Sequence, residues 1–337
     1  MGNTAFSLYL HDKPRPGGLL PELKVKKIFI LNGYNLSYKT AAKKMDEASM
    51  HNSRNILKVI EPNLVIEGAG VLLRRSISPS RENLFDPFLL FDHFAFNDPI
   101  EGPLVGFPMH PHRGIETVTY MLEGSVHHRD SLGNSGLISS GDVQWMTSGS
   151  GIMHEEMPRR SPQGNVFGFQ LWVNLPSALK MSRPRYQEVN AETIPMVEKQ
   201  GARIRLVASE IDGVIGPVAD IAANPVYIDV ELEADSTFSY PIPMGHTAIA
   251  YVFEGEGDFG VNENGSGRLV GAVNLVVFGE GDQIQVKTTS DSGVRFMLMA
   301  GAPIKEPIVP YGPFVMNTPE EIQQALSDLR NGTFVKP

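Results

Sequence analysis

From about Leu64 onward, apolar and polar residues alternate in short segments, and Gly, Pro, Asn or Asp separates one segment from the next. In two segments the alternate residues are all apolar, so each set would line one face of a β-strand. These residues are Phe167, Phe169, Leu171 and Val173 in VFGFQLWVN, and Val226, Ile228, Val230 and Leu232 in VYIDVEL. Many short, regularly spaced strands of this kind predict an all-β sandwich or barrel.

The C-terminal segment TPEEIQQALSDLR departs from this alternation and predicts a short α-helix. Thr318 is suited to the N-cap, Pro319 to the first helical position and Glu321 to the reciprocal bond of a capping box. An apolar stripe follows at helical spacing, formed by Ile322, Ala325, Leu326 and Leu329. The helix should end near Gly332.

The β-region contains an internal repeat, because YMLEGS at Tyr120–Ser125 corresponds to YVFEGE at Tyr251–Glu256. Each copy follows a Pro-Met pair and precedes a Gly-Asp pair, the latter containing Asp142 in the first copy and Asp282 in the second. We therefore expect two similar β-barrels in tandem.

The chain divides into four predicted parts. They are an N-terminal extension (1–62), a first barrel (63–188), a second barrel (190–318), and a C-terminal helix and tail (319–337). The stretch from Met1 to Met50 differs from the rest, since it carries eight Lys or Arg against four Asp or Glu. A disordered leader, a targeting peptide and an extended start stay open as interpretations of the extension.

Composition limits the classes of function. Hydrophobic residues make up 42% of the 337 residues, which is typical of a globular protein, and the net charge is −9. This acidic balance gives no support to direct nucleic-acid binding. Because no apolar run is long enough for a membrane span and no secretory signal is recognisable, we expect a cytoplasmic protein. The chain has no cysteine, so any metal site must use His, carboxylate and water.

Two donor pairs indicate such a site. His110 and His112 are two residues apart within GFPMHPHRG, and His154 and Glu156 have the same spacing within SGIMHEEMP. Residues i and i+2 of a strand project from the same face. If both pairs face one barrel interior, they supply three imidazoles and one carboxylate, which can hold a divalent metal and leave coordination positions open.

Six motifs carry a resemblance to a known family. They are DPFLLFDHF, HPHRGIETVTYMLEG, GDVQWMTSGSGIMHEEMP, FQLWVNLP, PIPMGHTA and GPFVMNTPEEIQQAL. From about Ala69 to Asn331 the chain resembles the pirin family of the cupin superfamily. The resemblance implies tandem double-stranded β-helix barrels, a jelly-roll-like bicupin, with a metal in the first barrel alone. It also implies His110, His112, His154 and Glu156 as ligands.

Glu116 is an alternative carboxylate. The general cupin pattern would make it the ligand, and it also lies an even number of residues from His112. A bulge at Arg113-Gly114 could change its parity. We favour Glu156 as the ligand and keep Glu116 as a residue that orients a ligand imidazole through its outer ring nitrogen.

The resemblance implies a function as well, because pirin-like proteins are similar to quercetin 2,3-dioxygenases. The expected cofactor is one divalent metal per chain, Fe(II) first, with Mn, Ni, Co or Zn as substitutes. The expected substrates are a flavonol and O₂, and Glu156 would also act as catalytic base. The alternative is a redox-sensitive transcriptional co-regulator that binds a protein partner without turnover. We expect a monomer in either case.

The remaining candidates are assigned structural roles. We expect His93 at a barrel rim near the pocket mouth, His127 and His128 in solvent, and His246 alone in the second barrel. Trp145 and Met146 are predicted core residues. The pocket beside the ligands should be lined by Phe107, Ile115 and Met153.

Overall fold

The structure, a computed structural model, describes residues 52–95 and 104–336. These residues form 25 strands, one α-helix and two short 3-10 helices. The strands up to residue 189 are β1 (Ile56–Ile60), β2 (Asn63–Glu67), β3 (Val71–Ile77), β4 (Phe88–Ala95), β5 (Phe107–His112), β6 (Ile115–Glu123), β7 (Ser125–Asp130), β8 (Ser135–Ile138), β9 (Val143–Thr147), β10 (Ile152–Arg159), β11 (Phe167–Asn174) and β12 (Arg185–Val189).

The later strands are β13 (Met196–Lys199), β14 (Ala202–Ala208), β15 (Glu210–Ile211), β16 (Val214–Ile215), β17 (Val226–Leu232), β18 (Thr237–Pro241), β19 (Thr247–Phe259), β20 (Arg268–Gly271), β21 (Asn274–Phe278), β22 (Gln283–Lys287), β23 (Val294–Gly301), β24 (Val309–Tyr311) and β25 (Phe314–Met316). The helix α1 is Pro319–Arg330, and the 3-10 helices are Ser177–Leu179 and Ala191–Thr193.

The first barrel consists of two antiparallel sheets. The larger has the strand order β12-β9-β6-β11-β4-β3-β2, and the smaller has the order β5-β10-β7-β8. Strand alternation divides the side chains of the larger sheet between two environments. On β4, Phe91 belongs to a buried apolar core, whereas Leu90, Asp92 and Phe94 line a cavity inside the barrel.

The second barrel repeats this design. Its main sheet has the order β1-β21-β19-β23-β17-β14-β13, while β18 pairs with β22, and β20 and β22 pair with β19. Strand β1 shows that the predicted boundary at residue 62 was wrong. Residues Ile56–Ile60 lie in the range assigned to the extension, yet they pair with β21 of the second barrel. The other predicted domain boundaries stay predictions.

Two large apolar cores account for the arrangement of the sheets. One core joins residues of both halves, such as Tyr120 and Phe169 with Tyr227 and Tyr251. The other core lies within the second half and contains all four predicted apolar residues of VYIDVEL. Three of the four predicted residues of VFGFQLWVN lie in the joint core, and Phe167 packs against it. The all-β bicupin fold is thus confirmed.

The internal repeat is confirmed at its centre and wrong at its flank. Gly124 directly follows β6 and Gly255 lies within β19, and both have positive φ, 76° and 67°. The Gly-Asp pairs, however, precede different strands, since Asp142 lies before β9 and Asp282 before β22. The structural counterpart of Gly281 is Gly151, which directly precedes β10. Both glycines have positive φ, and a Cβ on either would lie within 2.7 Å of a backbone oxygen.

The C-terminal helix begins as predicted. Thr318 accepts a hydrogen bond from the Glu321 backbone N–H, and Glu321 completes the capping box. The predicted stripe is wrong at its last position, because Leu329 is 37% exposed while Asp328 is buried. No helix within residues 52–95 and 104–336 is long and apolar enough to cross a membrane.

Candidate metal centre

Three histidines meet inside the first barrel. His110 and His112 lie two residues apart on β5, and His154 on β10 pairs with His110. One ring nitrogen from each lies within 4.8 Å of the others. His112 and His154 are buried, whereas His110 is half-buried. The structure therefore brings together the three imidazoles of the two predicted donor pairs, whereas Glu156 lies outside this group.

The outer ring nitrogens determine which atoms face the cluster. His110 Nδ1 donates to the Pro108 carbonyl at 2.9 Å, and His112 Nδ1 donates to the Pro313 carbonyl at 3.2 Å. A carbonyl can only accept, so each of these rings carries a proton on Nδ1, and in a neutral ring the lone pair then lies on Nε2. The two Nε2 atoms lie 3.2 Å apart. Two lone pairs at this distance are an arrangement that a shared cation stabilises.

His154 is oriented by a second histidine. His154 Nδ1 lies 3.4 Å from His128 Nδ1, and His128 Nε2 lies 3.6 Å from Asp130 Oδ2. His154 Nε2 is buried and has no hydrogen-bond partner in the described parts of the chain. The prediction that His128 lies in solvent was wrong, because this side chain is fully buried. His128-x-Asp130 has the same i, i+2 spacing as the two donor pairs, and this spacing is the signal that could have identified His128.

The electrostatics of the cluster favour neutral rings at His112 and His154. Burial, and then the neighbouring His110, lowers the pKa of His112 to about 3. Burial and the other histidines likewise hold the pKa of His154 well below its ordinary value. Metal ligation requires neutral imidazole. Together with the unpartnered His154 nitrogen, this protonation state shows that the donors fit a divalent metal ion.

Glu156 lines the same cavity as His110 and His112. It follows His154 by two residues on β10 and is 5% exposed. Thr119 Oγ1 donates to its Oε1 at 3.2 Å, and Gln170 Nε2 donates to its Oε2 at 3.1 Å. The carboxylate is therefore held in place by two neutral donors.

The cavity beside the cluster has a volume of about 600 Å³. Phe107 lines it as predicted, but Ile115 and Met153 do not. Met153 immediately precedes His154, so it lies on the opposite face of β10 and packs against the C-terminal segment. Ile115 is buried in a separate cluster with Trp172.

The structure contradicts the prediction that Glu116 orients a ligand imidazole. On β6, Glu116 shares its strand face with Val118 and Tyr120 of the joint core, opposite the face that carries Thr119. Thr147 Oγ1 donates to Glu116 Oε1 at 2.8 Å. Burial raises the pKa of Glu116 to about 7, partly offset by the Thr147 hydrogen bond. The carboxyl is thus part of the core and does not orient a ligand imidazole.

Two other histidines lie away from the cluster. His93 is 2% exposed, and its Nδ1 lies 2.7 Å from the Tyr251 hydroxyl in the joint core. The predicted position at the pocket mouth was therefore wrong, because alternation on β4 directs His93 away from the cavity. His246 lies between β18 and β19 of the second half. Trp145 and Met146 are fully buried, as predicted.

The C-terminal segment holds the cluster from outside. Besides the Pro313 carbonyl bound by His112, it provides Asp328, which accepts from Arg113 Nη1 at 2.8 Å. The Arg113 guanidinium also stacks 4.4 Å from the Phe334 ring centre. Sequence reasoning missed these contacts, since residues about 200 positions apart in the chain carry no local signal of their proximity.

Comparisons with known proteins agree with this fold. The pirin family model matches residues 70–173, and the model of the pirin C-terminal cupin domain matches residues 227–335. A pirin-like protein of Arabidopsis thaliana is 42% identical over 291 residues, which cover 85% of this chain and 92% of the relative. Human pirin is 43% identical over 267 residues, or 79% of this chain and 88% of the relative.

Among solved structures, a quercetin 2,3-dioxygenase from Acinetobacter baumannii superposes with a TM-score of 0.72 at 34% sequence identity. The superposition covers 84% of this chain and 98% of that protein.

Proposed function

This chain belongs to the pirin family, and on that premise we propose that it is a metal-dependent dioxygenase that opens flavonols. The observation that supports this most is a cluster of three imidazoles, two of them buried, beside a cavity of about 600 Å³. A cavity of this size suits a small aromatic ligand. The similarity to a solved quercetin 2,3-dioxygenase supports the choice of substrate.

We assign one divalent ion, Fe(II) in preference, to His110, His112, His154 and Glu156. Three imidazoles and one carboxylate would hold the ion, which would supply Lewis-acid chemistry at the substrate oxygens and the redox chemistry for O₂. The chain contributes the orientation of the three rings, through Pro108, Pro313 and His128. It also contributes a cavity wall that excludes water from the substrate.

Glu156 is assigned a second role, as the base that accepts the proton of the flavonol 3-hydroxyl. Its carboxylate lines the cavity, and Thr119 and Gln170 hold it at a fixed place. Loss of the base should lower turnover by about 100-fold or more. Glu156→Gln tests this role, because the amide retains an oxygen donor but cannot accept the proton.

The test of the proposed function is O₂ uptake with quercetin. Iron-loaded protein should consume both, and metal-stripped protein should consume neither. Glu156→Gln protein, loaded with iron to the same content, should turn over slowly. If the iron-loaded protein consumed no O₂ above the stripped control, flavonol dioxygenation would be abandoned in favour of a redox-sensitive binding protein. Turnover of Glu156→Gln at the unmodified rate would remove the base assignment alone.

A further inference from the structure

A row of polar side chains crosses the inner face of the larger sheet of the first barrel. Strand pairing places Arg75 beside Asp92, Asp92 beside Gln170, and Gln170 beside Thr119. All four line the cavity. Neighbouring strands lie about 4.8 Å apart, so the row extends over about 14 Å. At one end of the row, Thr119 and Gln170 contact Glu156. At the other end lies Arg75, on a strand two positions beyond that of Gln170.

Apolar side chains line the cavity on both sides of this row. On one side lie Leu73, two residues before Arg75, and Phe94, two residues after Asp92. On the other side lies Leu90, two residues before Asp92. Trp172 continues the second apolar side on β11. The polar row therefore runs between apolar walls, an arrangement that suits a flat aromatic ligand with hydroxyls along one edge.

The far end of the row is a charged network with more negative than positive groups. Arg75 forms a bidentate pair with Asp92, with Nε to Oδ1 at 2.8 Å and Nη2 to Oδ2 at 2.7 Å. Arg75 Nη1 also donates to Glu67 Oε1 at 2.7 Å. Asp92 is 3% exposed, whereas the Glu67 side chain is 45% exposed. One guanidinium faces two carboxylates, so the network carries an excess negative charge.

We propose that Asp92, Arg75 and Glu67 form a distal subsite for neutral phenolic hydroxyls and disfavour ligands with an anionic distal group. The subsite rests on the proposed function, because it is defined relative to a flavonol held at the histidine cluster. Carboxylate oxygens accept more than one hydrogen bond, so they can receive hydroxyl donors while Arg75 remains bound. A phenol on the distal ring supplies such donors without adding charge.

The subsite has a consequence for selectivity among flavonols. A hydrogen bond from a hydroxyl to a charged carboxylate is stronger than a hydrogen bond between two neutral groups. Quercetin, with two adjacent hydroxyls on its distal ring, should bind about tenfold tighter than 3,5,7-trihydroxyflavone, which has none there. An analogue with a carboxylate on that ring should bind more weakly than 3,5,7-trihydroxyflavone, since it meets the excess negative charge.

Binding is measured on the full chain loaded with Zn(II), which has no redox chemistry and leaves the ligand intact. Quenching of tryptophan fluorescence reports occupancy, because Trp172 lines the cavity while Trp145 is buried in the joint core. The probes are quercetin, 3,5,7-trihydroxyflavone and the carboxylated analogue. Asp92→Asn should reduce the preference for quercetin to about twofold or less, with little change for 3,5,7-trihydroxyflavone.

Glu67→Gln provides a gentler variant if Asp92→Asn does not fold. It leaves the Arg75–Asp92 pair intact and removes the excess charge, so it should improve binding of the carboxylated analogue by about threefold. Glu61→Gln is the matched control, as Glu61 is exposed and does not line the cavity.

Two outcomes separate this proposal from the proposed function. Equal affinity of the unmodified protein for quercetin and 3,5,7-trihydroxyflavone would overturn the subsite, even if iron-loaded protein consumed quercetin. So would an unchanged quercetin preference in Asp92→Asn or, if that variant does not fold, no better binding of the carboxylated analogue by Glu67→Gln than by Glu61→Gln. Hydroxyl-dependent binding that Asp92→Asn abolishes would support the subsite even if O₂ uptake were absent, in which case only the catalytic function would fail.

Discussion

The two barrels share one fold but differ in what fills their interiors. In the first, Gly151 precedes β10, and the third and fifth residues after it are His154 and Glu156. In the second, Gly281 precedes β22, and the residues at the same offsets are Ile284 and Val286. Both of these are fully buried in the apolar core of the second half.

The partner strands differ in the same way. His154 pairs with His110 on β5, and Ile284 pairs with Tyr240 on β18. The triplet His110-Pro111-His112 thus corresponds to Tyr240-Pro241-Ile242. Tyr240 and Ile242 belong to the apolar core. A polar cluster and an apolar core therefore occupy equivalent positions.

The same barrel fold thus carries an apolar interior in one copy and a cluster of polar side chains in the other, and the two contribute differently to folding stability. An apolar interior contributes directly to folding, by about 25 cal/mol per Å² of surface removed from water. The histidine cluster contributes less, because it buries polar side chains and leaves His154 Nε2 without a hydrogen-bond partner in the described residues. The first barrel is expected to gain further stability when a metal binds, since a ligand that binds the folded state shifts the unfolding equilibrium.

The largest expected effect is on metal binding when a first-barrel donor is removed. His154→Ala should lower the affinity for Fe(II) or Zn(II) by more than about 100-fold, because loss of a ligand exceeds the effect of losing a residue that supports one. Competition with a chromophoric chelator measures the change. Ile284→Ala is the matched control at the equivalent place in the second barrel. Metal retention by His154→Ala would contradict the assignment.

The same control variant has an effect of its own, on stability. Ile284→Ala should lower the free energy of unfolding by about 2 to 5 kcal/mol, because it leaves a cavity in a fully packed core. Denaturant unfolding of metal-free protein measures it. Metal stoichiometry should not change. A loss below about 0.5 kcal/mol, the size typical of surface substitutions, would show that the second interior is not the packed core described here.

A smaller effect is expected when a supporting residue of the first barrel changes. His128→Phe removes the nitrogen beside His154 Nδ1 while keeping a buried ring, so metal affinity should fall by about 10- to 100-fold. His128→Gln, which restores a polar partner, should recover part of the loss. His127→Gln is the neighbouring control on the other face of β7. Equal affinity in His128→Phe and the unmodified protein would limit His128 to a packing role.

The last effect is a pH dependence of stability that arises beside the joint core. Glu116 of the first barrel corresponds to Thr247 of the second, because each lies four residues before the tyrosine of the repeat. The folded-state pKa of Glu116 is about 7, against an ordinary value of 4.5, because the carboxyl is buried. The folded state thus favours the protonated form. The destabilisation is absent below about pH 4.5, grows as the pH rises to about 7, and is complete above that value.

Glu116→Gln should therefore stabilise the protein by about 3 kcal/mol at pH 8 and by little at pH 4.5. Urea unfolding at the two pH values measures the difference. An equal effect at both would mean that ionisation of Glu116 is not responsible.

Sequence reasoning reached the parts of the site that depend on strand periodicity. His110, His112 and His154 follow from two i, i+2 spacings. It failed where alternation does not show which face of a strand is buried. His127 and His128 are adjacent and must point in opposite directions, but the sequence does not show that His128 is the inner one. Glu116 was misplaced because Gly114, with φ of 80°, turns the chain between β5 and β6 and breaks the count of parity.

Long-range contacts were beyond sequence reasoning for a different reason. The pairing of Ile56–Ile60 with β21, more than 200 residues later, depends on the packed tertiary structure rather than on a local pattern. The same holds for Asp328. At helical spacing it looks like a solvent-facing residue, yet it is buried because Arg113 binds it.

The central claim is that the first barrel is a metal centre and that the second is an apolar core. Anomalous diffraction at the iron edge, from crystals of the full chain grown with Fe(II), tests it most directly. The account predicts one strong peak per chain, within about 2.0 to 2.2 Å of the Nε2 atoms of His110, His112 and His154 and with Glu156 as the fourth donor. A peak inside the second barrel near Tyr240 and Ile284, or a strong peak away from the three histidines, would contradict it.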